Sequence, residues 1–414
     1  MRRSLVSLCC VLGLADIATS QSATSQQSTA NAEAAFKQLQ TWYDATSGLW
    51  TTTGWWNSAN CLTVIGDLAA VDSNVKSAVT SVMSNTFIQA QKSNLQMMKV
   101  VLTDYNYLSM YGDSTGDIKS LALASEFPVH VATIVNPSGF LNDYYDDEGW
   151  WALGWIQAYD VTGNGDYLTM AADIFADMKN GATTPCSDGA AGIWWDKPNT
   201  YVNAIANELY LSVAAHLANR ATGYDSSNYL TLAKNQWTWF QGTGMINAQG
   251  TINDGLTSSC QNNGGTVWSY NQGVVLGGLV ELSKATGDSS YLGTAKSIAT
   301  AAIAALSDSN GILHDACEPD CGADGAQFKG IFMRNIQKLH QASPDSSYLT
   351  FIANNAKSIW ANDRNTKNNI LGVNWAGPFI APGDASTQSS ALDALVAAVA
   401  VGGGGIAKAR RWVA

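Results

Sequence analysis

The sequence predicts an all-α chain, six inner and six outer helices closed into an (α/α)6 barrel. A recurring turn, helical spacing on both sides of it, and alternating apolar and charged runs carry that expectation. The turn occurs as Val161-Thr162-Gly163-Asn164-Gly165-Asp166-Tyr167-Leu168 and again at 221–230, 285–292 and 342–349. Its tyrosines, Tyr167, Tyr229, Tyr291 and Tyr348, are 62, 62 and 57 residues apart, a period suited to stacked helical hairpins. Each copy reads as a helix stop at Gly or Pro, a Ser or Asp cap, and a new helix.

Around the first copy, Ala152, Trp155, Ile156 and Tyr159 before the turn repeat at helical spacing. Tyr167, Met170, Ala171, Ile174 and Met178 do the same after it. Runs before the turns carry less charge than runs after them, which separates an inner layer from an outer one. In chain order the expected outer and inner partners are 31–46 with 57–71, 74–95 with 147–160, and 166–180 with 204–220. The series continues with 227–241 and 271–285, 290–306 and 331–342, and 346–362 and 388–401. Gly277 and Gly278 let inner helices approach closely. An open solenoid needs polar terminal repeats; none is evident here, so closure is expected.

Met1-Arg2-Arg3, the apolar run 5–14 and the small residues Ala18-Thr19-Ser20 read as a secretory signal peptide over 1–20. A flexible Ser/Thr/Gln-rich lead is expected over 21–30, the barrel over 31–402 and a tail over 403–414. No later run is apolar enough to span a membrane. The net charge of −11 argues against nucleic acid or an anionic membrane as partner and suits a neutral or cationic polar ligand. A secreted, extracellular monomer is expected.

Five cysteines follow the signal segment, in keeping with an oxidising compartment. Cys317 and Cys321 close a tight loop, with a zinc site as the rival reading, but no second Cys pair or His cluster completes one. Cys186 and Cys260 lie in Gly/Ser-rich loops and form the second expected pair. Cys61, in an apolar helical run, is expected as a free buried thiol. The four histidines show no ligand spacing, so neither metal nor cofactor is expected.

The segments that enter the inner helices all open at one end of the barrel. They hold Trp56 and Asn57; Asp146, Asp147, Trp150 and Trp151; Trp195, Asn203 and Asn207; Trp268, Tyr270, Asn271 and Gln272; and Phe328 and Lys329. A carboxylate pair is what glycoside cleavage needs, one group as proton donor and one as nucleophile or base. Indole and phenyl rings offer flat platforms for the C–H faces of a sugar. The plain alternative is that Asp146 caps a helix, Asp147 complements its dipole, and the rings fill the core. Asp143 competes for a role or is a loop residue. Asn203, Asn207, Asn271 and Gln272 bind sugar hydroxyls or satisfy buried backbone groups. Trp195 and Trp268 are subsites or rim packing, and Lys329 orients a carboxylate or hydroxyl or is solvated.

Asp146-Asp147-Glu148-Gly149-Trp150-Trp151-Ala152-Leu153, Asn203 to Leu209, Trp268 to Gly273 and Phe328-Lys329-Gly330-Ile331 resemble glycoside hydrolase family 76. That family includes α-1,6-mannanases and fungal cell-wall proteins of the Dfg5/Dcw1 type. The opening Gly54-Trp55-Trp56-Asn57-Ser58-Ala59-Asn60 is similar to secreted fungal members, and the resemblance spans about residues 35–400. It implies an (α/α)6 barrel, retention of anomeric configuration, Asp146 as nucleophile and Asp147 as general acid/base. Adjacent helical residues do not face each other, so Asp146 is expected just outside the first turn. The implied function is a secreted endo-α-1,6-mannanase acting on α-mannan or a related wall polysaccharide. A wall transglycosylase, a non-catalytic carbohydrate-binding barrel and a polysaccharide lyase are the rivals.

Overall fold

The computed structural model describes residues 25–94, 137–187, 189 and 191–402. The expected signal peptide and the tail 403–414 lie outside the described residues, as does His130. In chain order the helices are α1 (25–40), α2 (Trp55–Val71), α3 (Lys76–Ser93), α4 (Tyr145–Thr162), α5 (Gly165–Met178) and α6 (Ala204–Ala218). Then come α7 (Gly223–Gly242), α8 (Ser269–Thr286), α9 (Ser290–Leu306), α10 (Phe328–Ala342), α11 (Ser346–Asn362) and α12 (Ala385–Gly402).

The even-numbered helices form the inner layer. Helix α2 packs on α4, α4 on α6, α6 on α8, α8 on α10, α10 on α12, and α12 returns to α2, so the ring closes. Sequence dictates this layering. Helix α6, Ala-Ile-Ala-Asn-Glu-Leu-Tyr-Leu-Ser-Val-Ala-Ala-His-Leu-Ala, is buried along its whole length, as an all-round apolar helix must be. Helix α5 buries only Tyr167, Met170, Ala171, Ile174, Phe175 and Met178, the single stripe of an outer helix.

The recurring turn works as its residues suggest. Gly163 and Gly287 end α4 and α8 in the left-handed region, at φ 74° and 73°, where a side chain would be strained. Asn164 and Asp345 accept from the backbone N–H groups of Asp166 and Ser347 and cap α5 and α11. Tyr167, Tyr291 and Tyr348 lie in the first turns of their outer helices. Tyr229 sits one turn further in, because α7 already starts at Gly223.

The ring closes through a buried ion pair. Arg334 on α10 donates to Asp393 on α12 from Nε and Nη2, at 2.9 and 2.7 Å, and from Nη1 to Asn60 on α2 at 3.0 Å. Burial still pushes the Asp393 carboxyl up to about 7 against the pull of Arg334. Cys186–Cys260 ties the loop after α5 to the loop before α8, Cys317–Cys321 closes a short loop before α10, and Cys61 is free and buried.

The N-terminal boundaries differ from expectation. Residues 25–30, expected as a flexible lead, are already helical; they lack Gly and Pro, and Thr29 and Gln27 bond within the helix. Helix α1 ends at residue 40 instead of 46. Asp44 draws the N–H groups of Thr46 and Ser47 into a turn, and a two-residue hairpin, Tyr43–Asp44 with Leu49–Trp50, replaces the last helical turn.

Candidate active site

Asp146 and Asp147 are the second and third residues of α4. The expectation that Asp146 lies before the first turn is therefore corrected. Successive side chains diverge by roughly 100° on a helix, but at its N-terminus no preceding turn covers them, so both reach the same opening. Neither is the cap. The cap position is Tyr144, which makes no side-chain cap bond, and Asn142 Oδ1 takes the Tyr144 N–H at 2.9 Å.

The two carboxyls are held unequally. Asp146 accepts two N–H groups, the Trp195 indole at 2.9 Å and the Asp147 backbone at 3.1 Å. Among the described residues Asp147 accepts only from the Asn142 amide. Burial pushes Asp146 up to about 7, opposed by those two donors. Burial, then the charge of Asp146, raises Asp147 well above the carboxylate range. Placement at a helix N-terminus favours the anion, and the group with more donors keeps it more readily.

The scaffold under the pair is rigid. Tyr145 N–H donates to Trp195 C=O at 2.8 Å, and Trp195 N–H donates to Tyr201 C=O at 2.7 Å. Glu148, fully buried, bonds Lys197 at 2.9 Å, and Lys197 also bonds Asp177 at 2.9 Å. Asp143 is an exposed loop residue whose C=O accepts from Lys197 N–H.

A closed cycle of rings floors the opening, one ring from each of α2, α4, α8 and α10. Trp56 stacks on Trp150 (centroids 5.6 Å apart), Trp150 on Tyr270 (6.5 Å) and Tyr270 on Phe328 (3.8 Å). Phe328 returns to Trp56 at 6.3 Å, and Trp268 sets its edge on Phe328 at 5.5 Å. The starts of the inner helices thus meet at one mouth. Trp56, Trp195, Trp268 and Tyr270 keep part of their faces open.

The family model described as glycosyl hydrolase family 76 matches residues 129–406. The chain belongs to this family. It is 30% identical over 209 residues to mannan endo-1,6-alpha-mannosidase DCW1 of Candida albicans, covering 46% of this chain and 45% of that protein. The chain spans about half the length of the first curated relatives it matches. Its fold is similar to an alpha-1,6-mannanase of Salegentibacter sp. HEL1_6 in complex with alpha-1,6-mannotriose (TM-score 0.68, 18% identity, 90% and 99% of the chains). That protein is an inactive variant with two consecutive aspartates changed to asparagine. Dfg5 of Chaetomium thermophilum, in complex with glucosamine, is also similar (TM-score 0.69, 17% identity, 91% and 90%).

Several residues expected to touch substrate in this family 76 chain are used elsewhere. Trp151 is fully buried between Trp55, Phe140 and Trp155, because it follows Trp150 by about 100° around α4 and points into the outer layer. Asn203 caps α6 through the Ala206 N–H. Asn207 takes the Ile193 N–H at 2.8 Å and donates to its C=O at 3.0 Å; Gln272 does the same to Ile252 at 2.8 and 2.9 Å. Asn57 is buried against Gln327, and Lys329 is buried between Glu318, the Val373 C=O and the Trp375 ring. Asn271 is fully buried, with neither amide atom hydrogen-bonded among the described residues. Asn203, Asn207, Gln272 and Lys329 turn into the walls because a wall built from loops has backbone groups to satisfy.

Other groups at the mouth escaped sequence reasoning. Asn142 holds Asp147, and its only signal is its place at the head of the aspartate motif. Asp324, on a single helical turn at Gly322–Gly325, accepts from the Trp56 indole at 2.9 Å, and its charge helps raise both aspartates. Tyr201 donates to Asp254 at 2.7 Å, and Asp254 acts electrostatically on Tyr270. Glu208 is fully buried with neither oxygen bonded among the described residues, and burial, then Asp254, raises it well above the carboxylate range.

Proposed function

We propose that the chain hydrolyses α-1,6-linked mannan within the polymer, with retention, as a secreted monomer. Asp146 is the nucleophile and Asp147 the general acid/base. The observation that carries this is the unequal support of the two carboxyls: two N–H donors stabilise the Asp146 anion, while Asp147 has one and carries the burden of Asp146's charge. Asp147 gives its proton to the departing glycosidic oxygen as Asp146 bonds the anomeric carbon. Asp147 then takes a proton from water, whose oxygen displaces Asp146. The family, the curated relative's name and the mannotriose complex of the similar mannanase support the substrate class. The inactive double-asparagine variant of that mannanase supports the roles of the pair. The disulfides fit an oxidising compartment, and among the described residues no helix is long and apolar enough to cross a membrane. Incubation with linear α-1,6-mannan beside branched mannan, α-glucan and chitin, with products resolved by length, tests the reading. Activity confined to another glycan overturns it.

A further inference from the structure

Beyond the aromatic floor the bore opens again. A cavity of about 200 Å3 lies among α2, α4, α6, α8 and α10, and Trp150, part of the floor, is also part of its wall. Its other lining comes from the later turns of the inner helices, including Asp160, His216, Glu281 and Lys338, so it faces away from the carboxylate mouth.

The charged groups around it balance in number, Arg220, Lys284, Arg334 and Lys338 against Asp160, Glu281 and the Asp393 and Asp67 carboxylates on Arg334, but they are not evenly paired. Asp160 is bonded by Arg220 Nε at 2.8 Å, and Glu281 by Arg220 at 3.1 Å and Lys284 at 2.6 Å. Both carboxylates are therefore already engaged. His216 Nδ1–H donates to the Ser212 C=O, 2.7 Å away, and burial pushes its pKa down to about 4, so it adds no charge near neutrality. Arg334 is occupied by Asp393 and Asn60. Lys338, one turn further along α10 and half-buried, has no carboxylate within salt-bridge range among the described residues. Gln157 and Gln341, which carry amide donors, line the same space.

We propose that this cavity binds a compact oxyanion, a phosphate group free or carried on a sugar, with Lys338 as its counter-charge. A cation finds no unengaged carboxylate there, while an anion meets an unmatched ammonium and two amide donors. The volume equals the share of roughly six or seven waters at ~30 Å3 each, room for a phosphate group together with part of a sugar ring. The chain's net charge of −11 does not forbid this, since charges beyond a Debye length of about 8–10 Å are screened.

The test is calorimetric titration of the full chain with inorganic phosphate, mannose 6-phosphate and mannose at ionic strength fixed with sodium chloride. Both phosphate-bearing ligands are expected to bind in a way that depends on Lys338, whereas any mannose binding, at the mouth, should not depend on it. Lys338→Met should weaken them at least tenfold, and Lys338→Arg should stay within about threefold of the parent. Tighter binding of the ester identifies a sugar phosphate, and equal binding identifies the free ion. No heat from the phosphate-bearing ligands above the chloride control, or binding of them unchanged by Lys338→Met, overturns the proposal. Should Lys338→Met not fold, Lys338→Gln gives the same readout.

Discussion

Trp195→Phe isolates one hydrogen bond on the proposed nucleophile while keeping a ring against Tyr144 and Tyr201. The parent indole donates to Asp146 at 2.9 Å, beside the Asp147 backbone N–H at 3.1 Å. Donors stabilise the anion, so losing one raises the pKa. A hydrogen bond to a charged group contributes about 1.5–3 kcal/mol, and one pKa unit corresponds to about 1.36 kcal/mol. The acid limb should therefore move up by about 1–2 units from a parent limb near 7. The assay is kcat/KM on a linear α-1,6-mannan oligosaccharide between pH 4 and 9. Below both limbs the variant should be about 10- to 100-fold slower, with the gap narrowing toward the plateau. A uniform loss at every pH would show that Trp195 serves only as a sugar platform. A parent limb near 4 would show that burial does not hold Asp146 up.

Asp147→Asn should cost about 10²- to 10⁴-fold on mannan and much less on an aryl mannoside with an activated leaving group; equal loss on both would remove its role as acid. Azide rescue of that variant should give the α-configured glycosyl azide, checked by NMR of the product. Arg334→Met should destabilise by roughly 3–5 kcal/mol by urea unfolding, because it strands Asp393 at the ring closure. Parent and variant should both lose stability as pH rises from about 4 toward 7, because the folded Asp393 carboxyl sits above its unfolded value; the cost of the substitution should grow above about 7, where the parent's carboxyl ionises beside Arg334 and the variant's has no such partner. Replacing Cys186 and Cys260 with serine removes a bond spanning 74 residues and should cost about 2–5 kcal/mol in the same assay.

The helices were legible because apolar spacing and turn residues act locally, and Tyr167 with its three equivalents exposed the layering. The aspartate pair was legible as a candidate because two adjacent carboxyls beside Trp150 and Trp151 are more than one helix start needs, and the cap position falls on Tyr144 instead. The amides were not legible. Asn207 and Gln272 look the same in sequence whether they face a sugar or a loop backbone, and only the tertiary position of Ile193 and Ile252 decides. Asp324 was invisible for a related reason: it reaches the mouth through Trp56, 268 positions away.

The amide clamps carry a consequence for how such barrels diversify. Asn207 and Gln272 each grip both the N–H and the C=O of a single loop residue, and Gln388 takes the Leu371 N–H at 2.8 Å. Each reads main chain, which every residue but proline presents in the same form. The clamp is indifferent to the side chain it holds. A loop can therefore exchange almost all of its residues without losing its anchor, so a fixed frame can carry rims of different specificity.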